Sequence, residues 1–98
     1  MTYISEISWH ITPFRAQDWI DGWYPAAEKA TDFGALDWRI YRSTDDPLLF
    51  RQVITWAKKE DFESYWYSEE ISVIRRGVVN YYDKPLLPVW CTPILSSD

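Results

Sequence analysis

The sequence of 98 residues is poor in cysteine, histidine and glycine, with one, one and three of them. A single cysteine, Cys91, excludes an internal disulfide, and its apolar neighbours Val89 and Trp90 predict a buried thiol. Because His10 is the only histidine, a metal site would depend on carboxylates, and we expect none. No segment approaches the roughly 20 apolar residues that a membrane span needs, so we expect a cytoplasmic protein without membrane contact.

Basic residues are also few and scattered, with ten Lys and Arg against fifteen Asp and Glu and a net charge of -5. Phosphate backbones are bound mainly by clustered Lys and Arg, so the composition argues against a nucleic-acid partner. Leu49–Trp56 has no glycine, which disfavours an RNA-recognition domain. Thr12–Gln17 has none either, which disfavours the glycine-rich anion loop of a small acyl phosphatase.

Aromatic residues, by contrast, are abundant: seven Trp, seven Tyr and four Phe. They can bury more aromatic area than a chain of this length needs for packing alone, which predicts a small ligand-handling domain. We expect residues 1–98 to form one domain. A domain this small buries well under three quarters of its unfolded surface as a monomer, so pairing with a second copy is attractive.

The first half of the chain shows the periodicities of strands and of one helix. Apolar and polar residues alternate at Tyr3–Thr12, Leu36–Tyr41 and Leu49–Trp56, which predicts three strands, the last two forming a hairpin. Apolar residues at helical spacing predict a helix over Ala16–Thr31, and Gly34 suits a left-handed cap after it.

The second half predicts a helix over Glu60–Arg76 and a last strand over Val89–Ile94. Ser68, followed by two acids, is typical of a new N-cap, so we expect a bend there or two short helices. The prolines around the last strand place it at a sheet edge. The fold class is therefore α+β: a ferredoxin-like βαββαβ unit with a four-stranded antiparallel sheet and two helices on one face.

Two adjacent runs carry a resemblance to a known family: RSTDDP at Arg42–Pro47 and TWAKKEDFESYWYSEE at Thr55–Glu70. They resemble the antibiotic-biosynthesis monooxygenase (ABM) domains of the dimeric α/β-barrel superfamily. In that family the third strand ends in a Trp, a short charged turn follows, and the next helix carries an aromatic or His before a Ser and an acid. The likeness covers nearly the whole chain in topology and Arg42 to Glu70 in specific residues.

The resemblance implies that two copies pack sheet against sheet into a barrel, and that each keeps a pocket between its sheet and its helices. Polyketide-type oxygenases of the family carry an Asn four residues before the strand-ending Trp and a Tyr on the next helix. This chain has Gln52 and Phe62 at those places, with Tyr65 one turn further on. The haem-degrading branch needs a helix His, and Glu60–Arg76 has none, which disfavours haem degradation.

Four residues are our catalytic candidates, each with a different role. We expect His10 to act as the base, Gln52 as a hydrogen-bond donor, Trp56 as the wall on which a flat substrate stacks, and Tyr65 as a donor to a developing oxyanion. Arg39 or Arg51 could hold an acidic substrate. The candidate substrate-binding residues are Trp19, Trp23, Trp38, Arg39, Phe62 and Trp66.

The first hypothesis for function is a homodimeric, cofactor-independent monooxygenase of a planar aromatic or polyketide-type substrate, with no metal. Its substrate, once deprotonated, would reduce oxygen itself inside an apolar cage. The second is a cyclase or isomerase that handles similar substrates in the same pocket by acid and base catalysis. The third is a non-catalytic ligand-binding or assembly module whose aromatic residues form core and interface.

Overall fold

The computed structural model describes residues 1–83 and 85–97. Within them the chain forms an antiparallel sheet with helices on one face, as the sequence predicts. The strands are β1 (Tyr3–Ile11), β2 (Ala35–Arg42), β3 (Leu49–Trp56), β4 (Tyr82–Asp83) and β5 (Val89–Cys91). The α-helices are α1 (Ala16–Lys29), α2 (Lys59–Trp66) and α3 (Glu69–Gly77), and short 3-10 turns span Ala30–Phe33 and Val79–Tyr81.

The sheet is built around β1. This strand pairs antiparallel with β3 on one side and with both β4 and β5 on the other, while β2 pairs with β3 at the edge. The α+β ferredoxin-like prediction is confirmed, with the two-residue strand β4 as an addition. The last strand ends at Cys91 rather than Ile94, and it lies at an edge as predicted.

The chain has three α-helices in the described ranges instead of two, because the second predicted helix breaks at Ser68. The Ser68 hydroxyl accepts a hydrogen bond from the backbone N–H of Ile71 over 3.2 Å and so caps α3. It also donates to the carbonyl of Tyr65 over 2.8 Å. The structure therefore adopts the predicted alternative of two short helices. Gly34 also takes the left-handed conformation predicted for it, with φ of 105°.

The two faces of the sheet differ in what covers them. Alternate residues of β1 and β3, among them Trp9 and Trp56, are buried under the helices. The opposite face, which we call the open face, carries Glu6, His10 and Val53 and has no helix over it. None of the helices in the described ranges has the length and apolarity that crossing a membrane requires.

Cys91 lies on the open face and is exposed, so the prediction of a buried thiol is wrong. The reason is strand alternation: Trp90 points towards the helices and contacts Phe62, which leaves its neighbour Cys91 on the other side. The Cys91 Sγ lies 3.4 Å from the Glu6 carboxylate, and this hydrogen bond raises the pKa of the thiol.

Candidate ligand-binding cleft

An apolar cleft of about 290 Å³ opens between α1 and β2, on the helix side of the sheet. Its volume is at the small end of the range found for ligand pockets, and its walls are mostly aromatic. Trp19 and Trp23 are almost fully buried, so a flat ring system would stack on the partly exposed Trp38 and the exposed Tyr24. The lining residues are Trp19, Ile20, Trp23, Tyr24, Trp38, Ile40, Arg42 and Phe50.

The two walls of the cleft come from ordinary helix and strand periodicity. On α1, Trp19 and Trp23 lie four residues apart and so share one face of the helix. On β2, Trp38 and Ile40 lie two residues apart and share one face of the sheet. A register shift between Ala35 and Asp37 turns the strand so that the even-numbered residues, and not Asp37, point towards α1.

Aromatic contacts hold these walls in place. The ring of Trp19 lies 5.0 Å from that of Trp9 and 4.9 Å from that of Phe50, which ties α1 to β1 and β3. At the mouth, Tyr24 and Trp38 meet edge to face with 6.5 Å between ring centroids. Rings that are packed on several sides lose little further freedom when a ligand binds, which favours affinity.

Gln52 lies behind the cleft, fully buried, and its side-chain oxygen accepts a hydrogen bond from Trp23 Nε1 over 3.2 Å. An indole nitrogen can only donate, so this bond settles which end of the amide is the oxygen. The Gln52 Nε2 group, like the indole nitrogens of Trp9 and Trp19, has no hydrogen-bond partner among the described residues. Gln52 therefore contacts a wall of the cleft and does not line it.

Tyr65 is buried next to Gln52, and its hydroxyl donates to the carbonyl of Ala26 on α1 over 2.7 Å. Burial raises the pKa of Tyr65 far above its ordinary value, and the Gln52 side chain lowers it by a smaller amount. No hydrogen bond of acceptable geometry joins the two side chains. The phenol stays protonated at neutral pH and joins α2 to α1.

Trp56 is also fully buried, and its indole N–H donates to the Ser5 hydroxyl over 3.0 Å. Its ring contacts Phe62, which in turn stacks on Trp66 with 5.7 Å between centroids. These three aromatic residues belong to the core between β3 and α2, and none of them lines the cleft.

His10 and Arg39 lie on the open face, with the sheet between them and the cleft. His10 pairs in register with Leu49 on one side and Asp83 on the other. It lines a separate cavity of about 340 Å³ beside Ser8 and Asp83. The structure therefore does not bring His10 together with Gln52 or Tyr65.

The cleft brings together Trp19, Trp23 and Trp38 from the set expected on sequence grounds. Five of the lining residues were not predicted from the sequence, although the periodicities contained a signal for them. Ile40 and Arg42 follow Trp38 at the spacing of one sheet face, and Tyr24 follows Ile20 at helical spacing. The residues missed are Ile20, Tyr24, Ile40, Arg42 and Phe50.

Solved structures share this architecture over nearly the full chain. A protein of Nitrosomonas europaea assigned as an antibiotic biosynthesis monooxygenase superimposes with a TM-score of 0.86 at 15% identity, covering 95% of this chain and 90% of that chain. One of Bordetella bronchiseptica with the same assignment gives 0.84 at 18% identity, with 96% and 98% covered. The chain has the antibiotic biosynthesis monooxygenase fold.

The ABM fold includes SnoaB, a cofactor-independent oxygenase of Streptomyces nogalater. A single-residue variant of SnoaB superimposes with a TM-score of 0.82 at 8% identity, covering 98% of this chain and 96% of that chain. At such identities the likeness establishes a shared fold. No protein-family model matches the sequence, and no curated protein matches it. The fold that the resemblance in Arg42–Pro47 and Thr55–Glu70 implies for a single copy is confirmed.

Proposed function

We propose that this protein is a small cofactor-independent monooxygenase that acts on a planar aromatic or polyketide-type molecule. The observation that carries the proposal is the aromatic cleft between α1 and β2, whose walls suit a flat substrate. The ABM fold adds support, because SnoaB, which shares it, is a cofactor-independent oxygenase. The aromatic cleft and the fold are independent observations that favour one class of reaction.

In a reaction without a cofactor, the substrate is the source of all the electrons that reduce O₂. An enolisable CH₂ group next to aromatic rings loses a proton and gives one electron to O₂, and the radical pair combines to a hydroperoxide. Cleavage of the O–O bond then leaves one oxygen atom as a carbonyl, and the second leaves as water with the two substrate hydrogens. The carbon loses four electrons and O₂ gains four, so atoms and electrons balance without another reductant.

The cleft lining contains no carboxylate and no imidazole. His10, the base expected on sequence grounds, lies on the open face. We therefore propose that the substrate is acidic enough to lose its proton to water, and that the protein contributes orientation and an apolar cage. Gln52 then acts by positioning Trp23, and Tyr65 and Trp56 by holding the core behind it.

The test is oxygen uptake, with product masses, on anthrone-type and hydroxylated polycyclic compounds. Ile40→Trp should fill the cleft and lower uptake at least tenfold, since the added ring takes the space of the substrate. Val73→Trp places the same side chain at an exposed position of α3 and should leave uptake unchanged. No uptake with any compound, or full uptake by Ile40→Trp, would count against the proposal.

A ligand-binding module without chemistry is the second candidate, favoured by a cleft lining that lacks an acid–base pair. It predicts that the same compounds bind to the wild-type protein but not to Ile40→Trp. After incubation with the wild-type protein, the compounds should be recovered with unchanged mass. A cyclase or isomerase would give a product of equal mass, or one lighter by water, without oxygen uptake.

We further propose that two copies pair through the open face. Leu49 and Val53 of β3 are partly exposed there, and Tyr41 of β2 and Val89 of β5 are exposed. Burying this apolar surface against a second copy would be favourable. Val53→Glu should then shift the sedimentation of the protein towards the monomer, whereas Val73→Glu on α3 should not. A monomeric wild-type protein would exclude the pairing.

A further inference from the structure

We propose that the ligand of the cleft carries an anionic substituent, a carboxylate or another oxyanion, and that Arg42 binds it. The inference rests on the cleft being the substrate site, as in the proposed function, and it names the substrate class more closely. Among the eight residues that line the cleft, Arg42 is the one with a charge at neutral pH. It ends β2, on the same side of the strand as Trp38 and Ile40.

The guanidinium of Arg42 is held in position by two contacts. Its Nε donates to the carbonyl of Pro47 over 2.8 Å, and its central carbon lies 5.1 Å from the centroid of the Phe50 ring. Phe50 itself lines the cleft, so the cation lies against one of the cleft walls. The terminal nitrogens donate to no acceptor among the described residues, and a planar fork of this kind suits an oxyanion.

None of the described carboxylates forms an ion pair with Arg42. The ion pairs within 4.0 Å in the part of the chain that the structure describes are Arg15 with Asp18, Lys29 with Glu70, and Arg51 with Glu6. Asp45 and Asp46 follow Arg42 in the same loop, yet neither forms an ion pair with it. A cation at the edge of an apolar cleft that pairs with none of the described carboxylates is available for an anion that the ligand brings.

The surroundings of Arg42 add hydroxyl groups. A cavity of about 400 Å³ at the end of the β2–β3 hairpin shares Arg42 with the cleft, and its other lining residues include Ser43, Thr44 and Arg51. Arg51 lies on the open face, where the ion pair that it forms among the described residues is with Glu6 at 4.0 Å. The sheet separates the charge of Arg51 from the cleft, so Arg42 is the cation that the anionic group of a ligand in the cleft meets.

Binding of naphthoate and of its neutral amide, naphthamide, tests the proposal without turnover. Quenching of tryptophan fluorescence reports both, because three Trp line the cleft. The wild-type protein should bind naphthoate at least tenfold more tightly than naphthamide, since hydrogen bonds to charged groups are the stronger ones. Arg42→Gln should abolish this preference and leave naphthamide binding unchanged. Arg76→Gln, which removes an equal charge at an exposed position of α3, should keep the preference.

A charge reversal provides a second measurement. Arg42→Glu should bind naphthylmethylammonium more tightly than naphthoate, because the side chain at the mouth is then an anion. Equal binding of naphthoate and naphthamide by the wild-type protein, or a preference that survives in Arg42→Gln, would overturn the proposal. Absence of binding by both compounds would overturn it together with the cleft as a site. Selective binding of naphthoate without oxygen uptake would count against the proposed oxygenase activity and would leave the anion site at Arg42 intact.

Discussion

The indole N–H of Trp23 donates a hydrogen bond to the side-chain oxygen of Gln52 over 3.2 Å, and this bond joins the wall of the cleft to the central part of the sheet. Trp23 is on α1 and Gln52 on β3, so the bond sets how α1 lies over the sheet. Both side chains are fully buried, where a donor without an acceptor is costly. The position of this cleft wall therefore depends on a polar contact that is itself outside the cleft.

Gln52→Leu leaves the buried Trp23 N–H without an acceptor, which costs about 1–3 kcal/mol. It also removes the Gln52 Nε2 donor, which has no partner among the described residues, so the net loss of stability should be smaller. Trp23→Phe removes the indole donor, so Gln52→Leu should cost less in the Trp23→Phe protein than in the wild-type protein. In a double-mutant cycle measured by urea denaturation we expect a coupling of about 1 kcal/mol between the two sites. Strictly additive effects would show that the bond contributes nothing to stability.

Ser5→Ala should lower the free energy of unfolding by about 1–3 kcal/mol, because the buried N–H of Trp56 loses its acceptor. Ser8 provides a matched control: it lies on the same strand but on the exposed face. Ser8→Ala should change stability by less than about 0.5 kcal/mol. Equal effects of the two variants in thermal or urea unfolding would contradict the assignment of Trp56 to the core.

The stability of the protein should fall in alkaline solution because of Tyr65. Burial raises the pKa of its phenol in the folded state above the ordinary value of 10.0 that it keeps in the unfolded chain. Below pH 10 the phenol is protonated in both the folded and the unfolded state, and the contribution of Tyr65 to the free energy of unfolding is fully present. Above pH 10 the unfolded chain releases the proton while the folded protein keeps it, so the free energy of unfolding decreases by up to about 1.4 kcal/mol per pH unit.

Tyr65→Phe is the control for this pH dependence. It should cost about 1 kcal/mol at neutral pH through the lost bond to Ala26, and its stability should fall less steeply above pH 10. The pKa of Tyr82 is also raised by burial, but that residue is present in both proteins and its effect cancels. Parallel curves for the two proteins would show that Tyr65 titrates as an ordinary tyrosine.

Gly34→Ala should destabilise the protein by about 1–2 kcal/mol, since a residue with a Cβ avoids the φ of 105° found there. The added carbon would also come within 2.6 Å of the Asp61 carboxylate, which would have to move. Gly77, at the end of α3, has nothing within 4 Å of the corresponding position, and Gly77→Ala should be neutral or stabilising. Similar melting temperatures for both variants would contradict this account.

Periodicity in the sequence was sufficient for the fold class. The apolar face of β1 and β3 is indicated by alternation, and that of α1 by helical spacing. Antiparallel pairing of the strands follows from the order of the elements. Ser68 and Gly34 could be predicted for the same reason, because an N-cap and a left-handed cap depend on the chemistry of one residue.

Which aromatic residues line a cleft and which fill a core was decided only by the tertiary structure. Trp56 and Trp38 both lie on the helix side of neighbouring strands, and nothing local distinguishes them. Trp56 is covered by α2, whereas Trp38, on the edge strand, is only partly covered by α1. The register shift near Ala35, which turns Arg42 towards α1, is likewise a property of the β2–β3 pair.

The sequence by itself thus determined the local structure, because caps and apolar periodicities act over a few residues. Tertiary structure decided the rest: the register of β1 with β3 placed His10 on the opposite face from Gln52, and the packing of α1 on the sheet made Arg42 the charged residue of the cleft. Sites of this kind join residues that are far apart in the chain, and their geometry depends on how whole elements pack.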